Sequence, residues 1–330
     1  MPAKGYGMTL LLHSLSANYN QYLASKNQVQ MGERGPGSLV VTPGGRGPDG
    51  FYAGIAEADT FEAWADAARH YKVDNDWASV TGYSMGGFGT YRLLARYPDL
   101  FARGFSVVAA PGSVNDQLRS LRNTPLLTWN AAADELVNIK TSEDAYAANI
   151  AAGIRVEHDL FLTADHLTLA GNDEFAPGAA FLGTARVERN PAHVTYVVDP
   201  TEDNAQATAV ADSAYWLSGL KTRNKGNGTV DAVSSGFGVK DAPVLAVKNG
   251  AGALTGGELP ALPFASRSQQ WGPLAKAPKA DALALTVTNL RTVTVDLDRA
   301  GLTCGAKLSV KTDGPVSVVL AGCDRTVRFG

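Results

Sequence analysis

A glycine-flanked serine constrains this chain more than any other feature. The run Gly-Tyr-Ser-Met-Gly at 82–86 lies between a strand-like run, 77–81, and a helix-like run, 90–97. Because a Cβ at either glycine would collide in so tight a turn, the pattern predicts a strained strand-to-helix turn with Ser84 at its apex. Backbone N–H groups at the start of the helix would then face a developing anion. The alternative is a glycine-rich turn with a capping serine, but the flanking strand and helix favour a nucleophile.

A serine needs a base and an acid to act as a nucleophile, and two later loops offer them. Asp134 follows a buried strand-like run, 124–130, and His166 follows the next one, 155–162. Both therefore fall beyond strand ends, at the same edge of a parallel sheet as Ser84. In this arrangement the serine attacks, the histidine takes and returns the proton, and the aspartate fixes the imidazole tautomer.

Other residues compete for the acid and base positions. Glu135 and Asp165 are neighbouring carboxylates that we interpret as solvated loop charges. Among the other four histidines, His70 lies near the end of an amphipathic helix and His193 lies in a proline-containing connection. His158 lies within a strand-like run, and His13 follows the first strand. We expect the strand histidine to be structural or on the surface, and the last to brace its loop.

The second donor to an oxyanion is expected from the loop after an earlier strand. Residues 8–12 form a short continuous apolar run, as a buried parallel strand does. We predict the backbone N–H groups of Met85 and Leu15 as the donors, with Ser14 or Ser16 replacing the latter if the register differs.

Three aromatic side chains next to these segments are candidates for substrate binding by adjacency: Tyr83, Tyr19 and Trp129. The sequence offers no clustered His and Cys ligands, so we expect neither a metal nor a cofactor.

The motifs together resemble the α/β-hydrolase superfamily, in the branch of esterases and prolyl-oligopeptidase-like hydrolases. They are Leu12-His13-Ser14, Gly82-Tyr83-Ser84-Met85-Gly86-Gly87, Asn130-Ala131-Ala132-Ala133-Asp134 and Asp165-His166. The resemblance covers roughly residues 5–185 and implies a doubly wound, mostly parallel sheet and an acyl-enzyme mechanism. It departs from the family at Ser14, where many relatives have glycine. It also lacks the usual two strands before residue 8, which predicts a longer natural chain.

The alternation of strand-like and helix-like runs, with the first helix expected over 20–31, predicts an α/β catalytic domain at 1–187. Short strands then follow one another without long helices, which predicts a β-rich, sandwich-like domain at 188–330. The clearest strand-like runs there are 194–198, 213–217, 282–288 and 292–297. We expect this second domain to serve as a scaffold rather than to dock a polymer or carbohydrate.

Cys304 and Cys323 are the only cysteines. Strand-like runs at 307–311 and 316–320 flank Asp313-Gly314, a strong hairpin signal, and the cysteines are equidistant from that turn. A hairpin would bring them face to face, so the sequence predicts a disulfide. A disulfide implies an oxidising compartment, hence a secreted or extracytoplasmic protein.

Composition limits the class of partner. The net charge is −3, 45% of residues are hydrophobic and 18% are charged, which is typical of a globular chain with a core. The absence of a basic block argues against nucleic acid, and no apolar run reaches the 18 residues of a membrane-spanning helix. The first residues do not form a signal peptide.

We therefore expect a serine hydrolase of carboxylic esters whose partner is a small-molecule or polymeric ester. Only seven residues precede Met8, so the sequence has no room there for the propeller that commonly covers the peptidase relatives. The uncovered site favours esters, extending by analogy to polyesters such as polyethylene terephthalate. The alternatives are a serine peptidase of prolyl-oligopeptidase type and a noncatalytic polymer- or carbohydrate-binding protein. The intact Ser84, Asp134 and His166 argue against the second.

Overall fold

A parallel sheet forms the centre of the structure. The computed structural model describes residues 2–330. Its first six strands are β1 (Tyr6–Leu12), β2 (Ser38–Val41), β3 (Val73–Tyr83), β4 (Arg103–Val107), β5 (Leu126–Ala131) and β6 (Val156–Phe161). They are mutually parallel in the order β6-β5-β4-β3-β1-β2. The chain thus starts inside the sheet and winds outward both ways, which confirms the predicted doubly wound fold.

Helices cover both faces of this sheet. They are α1 (Lys26–Gly32), α2 (Ile55–His70), α3 (Met85–Arg96), α4 (Ile139–Ala151), α5 (Thr168–Asn172) and α6 (Ala176–Leu182). The apolar side chains of α2, α3 and α4 pack on one face and those of α1, α5 and α6 on the other. No helix within residues 2–330 is long and apolar enough to cross a membrane.

The first helix begins later than predicted. Turns occupy residues 19–24, and α1 begins only after Ser25, whose hydroxyl accepts the Gln28 N–H at 3.1 Å. The expected start at residue 20 is therefore wrong, because this serine caps the helix five residues further on. The polar residues before it remain in the loop that follows β1.

The remaining strands are β7 (His193–Val198), β8 (Leu217–Thr222), β9 (Gly228–Ser234), β10 (Val239–Lys240), β11 (Val244–Leu254), β12 (Leu262–Trp271), β13 (Ala275–Lys276), β14 (Ala282–Thr288), β15 (Leu290–Asp296), β16 (Lys307–Thr312), β17 (Val316–Ala321) and β18 (Arg325–Phe329). Two four-stranded sheets, β16-β14-β9-β7 and β18-β17-β15-β8, pack face to face over one apolar core. Leu283, Leu285 and Val287 alternate inward from β14 as predicted. The sandwich expected in the C-terminal part is therefore present.

One predicted strand of the sandwich is misplaced. Within the predicted run 213–217, Tyr215 and Trp216 form a turn, and β8 begins only at Leu217. Tyr215 adopts a positive φ of 58° there, and its buried hydroxyl donates to the Pro98 carbonyl at 3.2 Å. The apolar run is therefore an anchor onto the α/β part rather than a strand.

A long hairpin joins the second part of the chain to the first. β11 and β12 pair with each other, and β12 pairs antiparallel with β6, which extends the central sheet to eight strands. Arg267 on β12 also forms a two-pronged ion pair with Glu143 of α4, at 2.7 and 2.6 Å. The division at residue 187 remains a prediction about folding units, but residues 244–271 belong to the central sheet and interrupt the predicted 188–330 unit.

The two cysteines form a disulfide, but not across a hairpin. β16 pairs in parallel with β14, whereas β17 pairs in parallel with β15 in the opposite sheet. The hairpin expected around Asp313-Gly314 is therefore wrong, because each strand finds its partner among earlier strands. Cys304 precedes β16 and Cys323 follows β17, so the bridge links the two sheets. The Cα atoms of the two cysteines are 5.6 Å apart.

We expect this disulfide to stabilise the sandwich. The bridge closes a sequence separation of 19 residues. A loop of about 20 residues is worth roughly 3 kcal/mol in the chain-entropy model. Replacing both cysteines by serine should lower the melting temperature measured by calorimetry, while ester turnover at 25 °C stays unchanged.

Reductant provides the control for this prediction. It should lower the melting temperature of the wild-type protein and leave that of the double-serine variant where it is. Mass spectrometry of non-reduced peptides should find one linked pair. Two free thiols in protein made under oxidising conditions would remove the prediction.

Candidate active site

The predicted turn around Ser84 is present. β3 ends at Tyr83, and α3 begins at Met85 with Ser84 as its N-cap at φ 53° and ψ −118°. A Cβ on Gly82 would overlap the backbone of Gly86, and a Cβ on Gly86 would overlap the Leu12 carbonyl. Only glycine fits these positions, so the turn can bring the start of α3 against the end of β1.

In the predicted triad, His166 lies within hydrogen-bond distance of both other residues. Its Nε2 is 2.9 Å from the Ser84 Oγ, and its Nδ1 is 2.9 and 2.8 Å from the two carboxylate oxygens of Asp134. A carboxylate only accepts hydrogen bonds, so Nδ1 carries the imidazole proton and Nε2 is free to accept from the serine. This tautomer is the one that general-base catalysis requires.

Backbone contacts hold the acid and the base in register. The Oδ1 of Asp134 accepts the N–H groups of Leu136 at 2.9 Å and Val137 at 2.7 Å, which fixes its carboxylate. The Ala133 N–H donates to the Ala164 carbonyl at 2.9 Å and so ties the two loops together. The Asp134 and His166 side chains are almost completely buried, which strengthens their interaction.

The two rival carboxylates have other roles. Glu135 accepts the backbone N–H of His166 at 3.3 Å and thereby supports its position without touching the imidazole. Asp165 accepts the Thr168 hydroxyl and the N–H groups of Thr168 and Leu167, and these bonds lower the pKa of its carboxyl. It therefore stabilises the loop before α5 as a carboxylate.

Within residues 2–330, no other histidine hydrogen-bonds to Ser84. His158 on β6 is buried and pairs with the Thr128 hydroxyl at 2.8 Å. Burial, helped by the Arg267 guanidinium, lowers the pKa of His158 to about 4, so it is neutral at ordinary pH. His13 is also buried, with its ring nitrogens 2.9 and 3.1 Å from the carbonyls of Ser14 and Gly44. It braces two loops, as expected.

Hydrogen bonding distinguishes the predicted oxyanion donors. The Ser14 N–H donates to Oε1 of Gln21 at 2.6 Å, and the Ser16 N–H donates to the Pro48 carbonyl at 2.8 Å. Within residues 2–330, the N–H groups of Leu15 and Met85 have no hydrogen-bond acceptor. They remain the two predicted donors that are available to a ligand.

Two of the three aromatic candidates for substrate binding are buried, and their role in substrate binding stays a prediction. Tyr83 is buried, its ring packs edge-on against His166 and its hydroxyl donates to the His166 carbonyl, so it positions the base. Trp129 is buried among Phe105, Phe161 and Phe175, in the same apolar cluster as Tyr83. Adjacency in sequence does not show that the protein's own side chains cover both residues.

Tyr19 is exposed, but it lies in a groove of about 1020 Å³ whose lining includes Val40 of β2 and Asp59 and Asp66 of α2. This groove, and a cavity of about 750 Å³ beside His193, have no triad residue in their walls. The role of Tyr19 in substrate binding stays a prediction.

Sequence reasoning missed several residues that support the site. The hydroxyl of Tyr22 donates to the Leu12 carbonyl at 2.9 Å, and that of Tyr52 donates to the His13 carbonyl at 3.1 Å. Both hold the end of β1, yet neither belongs to a motif. Among residues 2–330, no group of three or more His, Cys, Asp or Glu side chains could hold a metal ion.

The sequence and the structure have only limited similarity to known proteins. No protein-family model and no curated protein matches this sequence. Among solved structures, a ferulic acid esterase is 17% identical, with a TM-score of 0.44 over 54% of this chain and 85% of that one. Esterase PE8 is 19% identical, with a TM-score of 0.42 over 55% of this chain and 95% of that one.

An S-formylglutathione hydrolase from Staphylococcus aureus is 15% identical, with a TM-score of 0.43 over 55% of this chain and 83% of that one. Such distant similarity over half the chain does not bear on activity. The fold is of the α/β-hydrolase type. That statement rests on the strand order and on the turn at Ser84. The fold class predicted from the sequence is thereby confirmed.

The hydrogen bonds predict which carboxylate matters for turnover. Asp134→Asn preserves size but removes the charge and allows the wrong imidazole tautomer, so kcat for a p-nitrophenyl ester should fall by roughly 10⁴. Asp165→Asn, one residue before His166, is the matched control and should stay within about threefold of wild type. Equal losses in the two variants would contradict the assignment of the acid.

Proposed function

We propose that this protein is a serine hydrolase of carboxylic esters that works through an acyl-enzyme intermediate. The observation that carries the proposal is the relay from Ser84 Oγ to His166 Nε2, and from His166 Nδ1 to Asp134, with every step between 2.8 and 2.9 Å. A buried acid, an imidazole whose Nδ1 binds that acid and a serine at a helix N-terminus together support nucleophilic catalysis.

In the proposed first half-reaction, Ser84 Oγ attacks the ester carbonyl carbon while His166 Nε2 takes its proton. The carbonyl oxygen becomes an oxyanion that accepts the N–H groups of Met85 and Leu15, which have no other acceptor among the described residues. Asp134 stabilises the imidazolium. The intermediate then collapses, His166 protonates the leaving alkoxide, and an acyl ester on Ser84 remains.

In the second half-reaction, a water molecule takes the place of the alcohol. His166 removes its proton as the water attacks the acyl carbon, and the same two N–H groups hold the new oxyanion. Collapse returns the proton to Ser84 Oγ and releases the carboxylic acid. In this proposal each proton passes through the imidazole of His166, whose Nε2 lies 2.9 Å from Ser84 Oγ.

Two features favour esters over peptides. An alcohol leaves with less help from the general acid than an amine does. In addition, the two carboxylates that neighbour the triad in sequence already accept backbone N–H groups, Glu135 that of His166 and Asp165 those of Leu167 and Thr168. Neither is therefore an unoccupied partner for the amino terminus of a peptide. The triad would also serve a serine peptidase, so the leaving group is what separates the two functions.

Exposed apolar side chains lie close to the triad residues in sequence, and they support the proposal that the substrates include bulky or polymeric esters. Leu15 lies in the oxyanion loop, Leu136 comes shortly after the acid and Leu167 directly follows the base, and they are 49%, 71% and 66% exposed. Phe51 is also exposed and packs edge-on against Phe88 of α3. We call Leu15, Leu136 and Leu167 the leucine rim. We infer that an apolar acyl group or a polyester chain binds on this rim.

The Cys304–Cys323 disulfide supports an extracytoplasmic site of action. Structural disulfides form and persist in oxidising compartments and are rare where thiols are kept reduced. We therefore propose that the protein works outside the cytoplasm. Recovery of the free dithiol from an oxidising compartment would count against this proposal.

Replacement of the serine tests the proposed function directly. Ser84→Ala removes the attacking atom at little cost in packing, so kcat for p-nitrophenyl esters should fall by roughly 10⁴ to 10⁶ with an unchanged melting temperature. His166→Ala should be similarly severe. His158→Ala is the matched control, and it should retain most of the activity.

The leaving group separates esterase from peptidase. The kcat/KM of wild-type protein for a p-nitrophenyl ester should exceed that for a matched aminoacyl anilide. Faster anilide hydrolysis would make the peptidase alternative the better one. Near-normal ester turnover by Ser84→Ala would end the proposal altogether.

The leucine rim makes a separate prediction about polymers. Leu136→Ser and Leu167→Ser should each lower soluble release from a polyester film about fivefold, since partial burial of a leucine is worth about 1 kcal/mol. The kcat/KM for a short soluble ester should stay within about twofold. Leu245→Ser, on a similarly exposed leucine of β11, is the control. Absence of film release by the wild-type protein would confine the function to small esters.

A further inference from the structure

The loop after β1 makes a tight turn beside the nucleophile. The Ala17 N–H donates to the Ser14 carbonyl at 3.1 Å, and Ser16 adopts a positive φ of 63° at the third position of the turn. A serine at positive φ is strained by on the order of 1 kcal/mol, so other contacts must hold this turn in place. The second position of the turn is Leu15, whose N–H is the proposed oxyanion donor.

The side chain of Gln21 makes two hydrogen bonds to Ser14. Its Oε1 accepts the Ser14 N–H at 2.6 Å, and its Nε2 donates to the Ser14 Oγ at 2.9 Å. The Ser14 hydroxyl in turn donates to the carbonyl of Tyr83 at 3.1 Å. Gln21 and Ser14 thus connect the oxyanion loop to the residue that precedes the nucleophile.

The chemistry of the donors fixes the orientation of the amide. The backbone N–H of Ser14 can only donate, so the oxygen of Gln21 must face it. The hydroxyl proton of Ser14 is engaged with Tyr83, so its oxygen accepts from the amide nitrogen. A flipped amide would place donor against donor, so the two hydrogen bonds allow only one orientation of the Gln21 amide.

This pair of bonds leaves a single free amide in the turn. Gln21 occupies the Ser14 N–H, and the Pro48 carbonyl occupies the Ser16 N–H. The N–H between them, that of Leu15, is therefore anchored through both neighbours while having no acceptor within residues 2–330. The loop presents one donor in a fixed direction, which is what preorganised stabilisation of an oxyanion requires.

We propose that Gln21 is a positioning residue that holds the Leu15 N–H towards the oxyanion, through its paired hydrogen bonds to Ser14. This inference rests on the proposed ester hydrolysis. Gln21 itself touches no reacting atom. Its side chain is exposed at the surface, so its replacement removes the two bonds without creating a cavity.

Gln21→Ala tests the proposal against a purely structural role. Loss of a whole oxyanion donor costs roughly 10²- to 10³-fold in kcat, and a loosened donor should cost about 10- to 100-fold. We expect this loss in kcat with KM within about twofold. The inhibition constant of an alkyl boronic acid, which forms a tetrahedral anion on the serine, should rise in parallel.

Gln28→Ala is the matched control. Gln28 is a glutamine of the same segment that also accepts a backbone N–H, that of Ala24 at 3.2 Å, but it does not touch Ser14. Its replacement should leave kcat and boronate affinity unchanged. Both variants should melt within a few degrees of wild type, which separates lost positioning from lost folding.

Gln21→Glu adds a pH-dependent readout. A protonated carboxyl can accept the Ser14 N–H and donate to its Oγ as the amide does, whereas a carboxylate can only accept and brings a negative charge near the oxyanion. The ratio of variant to wild-type kcat should therefore be highest near pH 4 and fall as the pH rises past the ordinary carboxyl pKa of about 4.3. The ratio cancels the pH dependence that both proteins share.

The outcomes separate this inference from the proposed function. Ser84-dependent turnover with kcat of Gln21→Ala within twofold of wild type would overturn the positioning role alone. A flat ratio for Gln21→Glu between about pH 4 and 7 would also overturn it. Turnover that does not depend on Ser84 would instead remove the proposed function on which the inference rests.

Discussion

The close approach of α3 to the end of β1 is the constraint on which the site depends. Gly86 touches the Leu12 carbonyl so closely that no Cβ fits between them. This contact forces Ser84 to positive φ, and it sets the start of α3 beside the loop that follows β1. The strain at such a residue is on the order of 1–3 kcal/mol, and a buried surrounding must hold it.

The surrounding structure supplies that support through the backbone. The Ser84 N–H donates to the Val107 carbonyl of β4 at 2.9 Å, so the strained residue is tied to the neighbouring strand. Buried tyrosines, Tyr22 and Tyr52, hold the end of β1 through its carbonyls. A third, Tyr83, holds the His166 carbonyl. Ser84, His166 and the loop after β1 are therefore held in place by the fold itself, which is the condition that the proposed electrostatic catalysis requires.

The C-terminal part of the chain shows how one local pattern can lead to two topologies. Alternating strands on either side of Asp313-Gly314 suit a hairpin, yet β16 and β17 lie in opposite sheets. Both arrangements bring Cys304 and Cys323 together, because each places the far ends of the two strands side by side. The disulfide was thus predicted correctly from a pairing that is wrong. Similarly, β12 pairs with β6, and no sequence pattern within residues 244–271 predicts this pairing.

The sequence by itself determined the doubly wound sheet, the turn at Ser84 and the order of serine, acid and base. These depend on signals within short segments, namely glycines at a tight turn and polar loops after apolar strands. Only the tertiary structure decided that Tyr83 and Trp129 are buried, that Glu135 and Asp165 bind backbone, and that Gln21 holds Ser14. The physical reason is that burial and hydrogen-bond partners depend on which segments meet in space, and residues far apart in the chain settle this together.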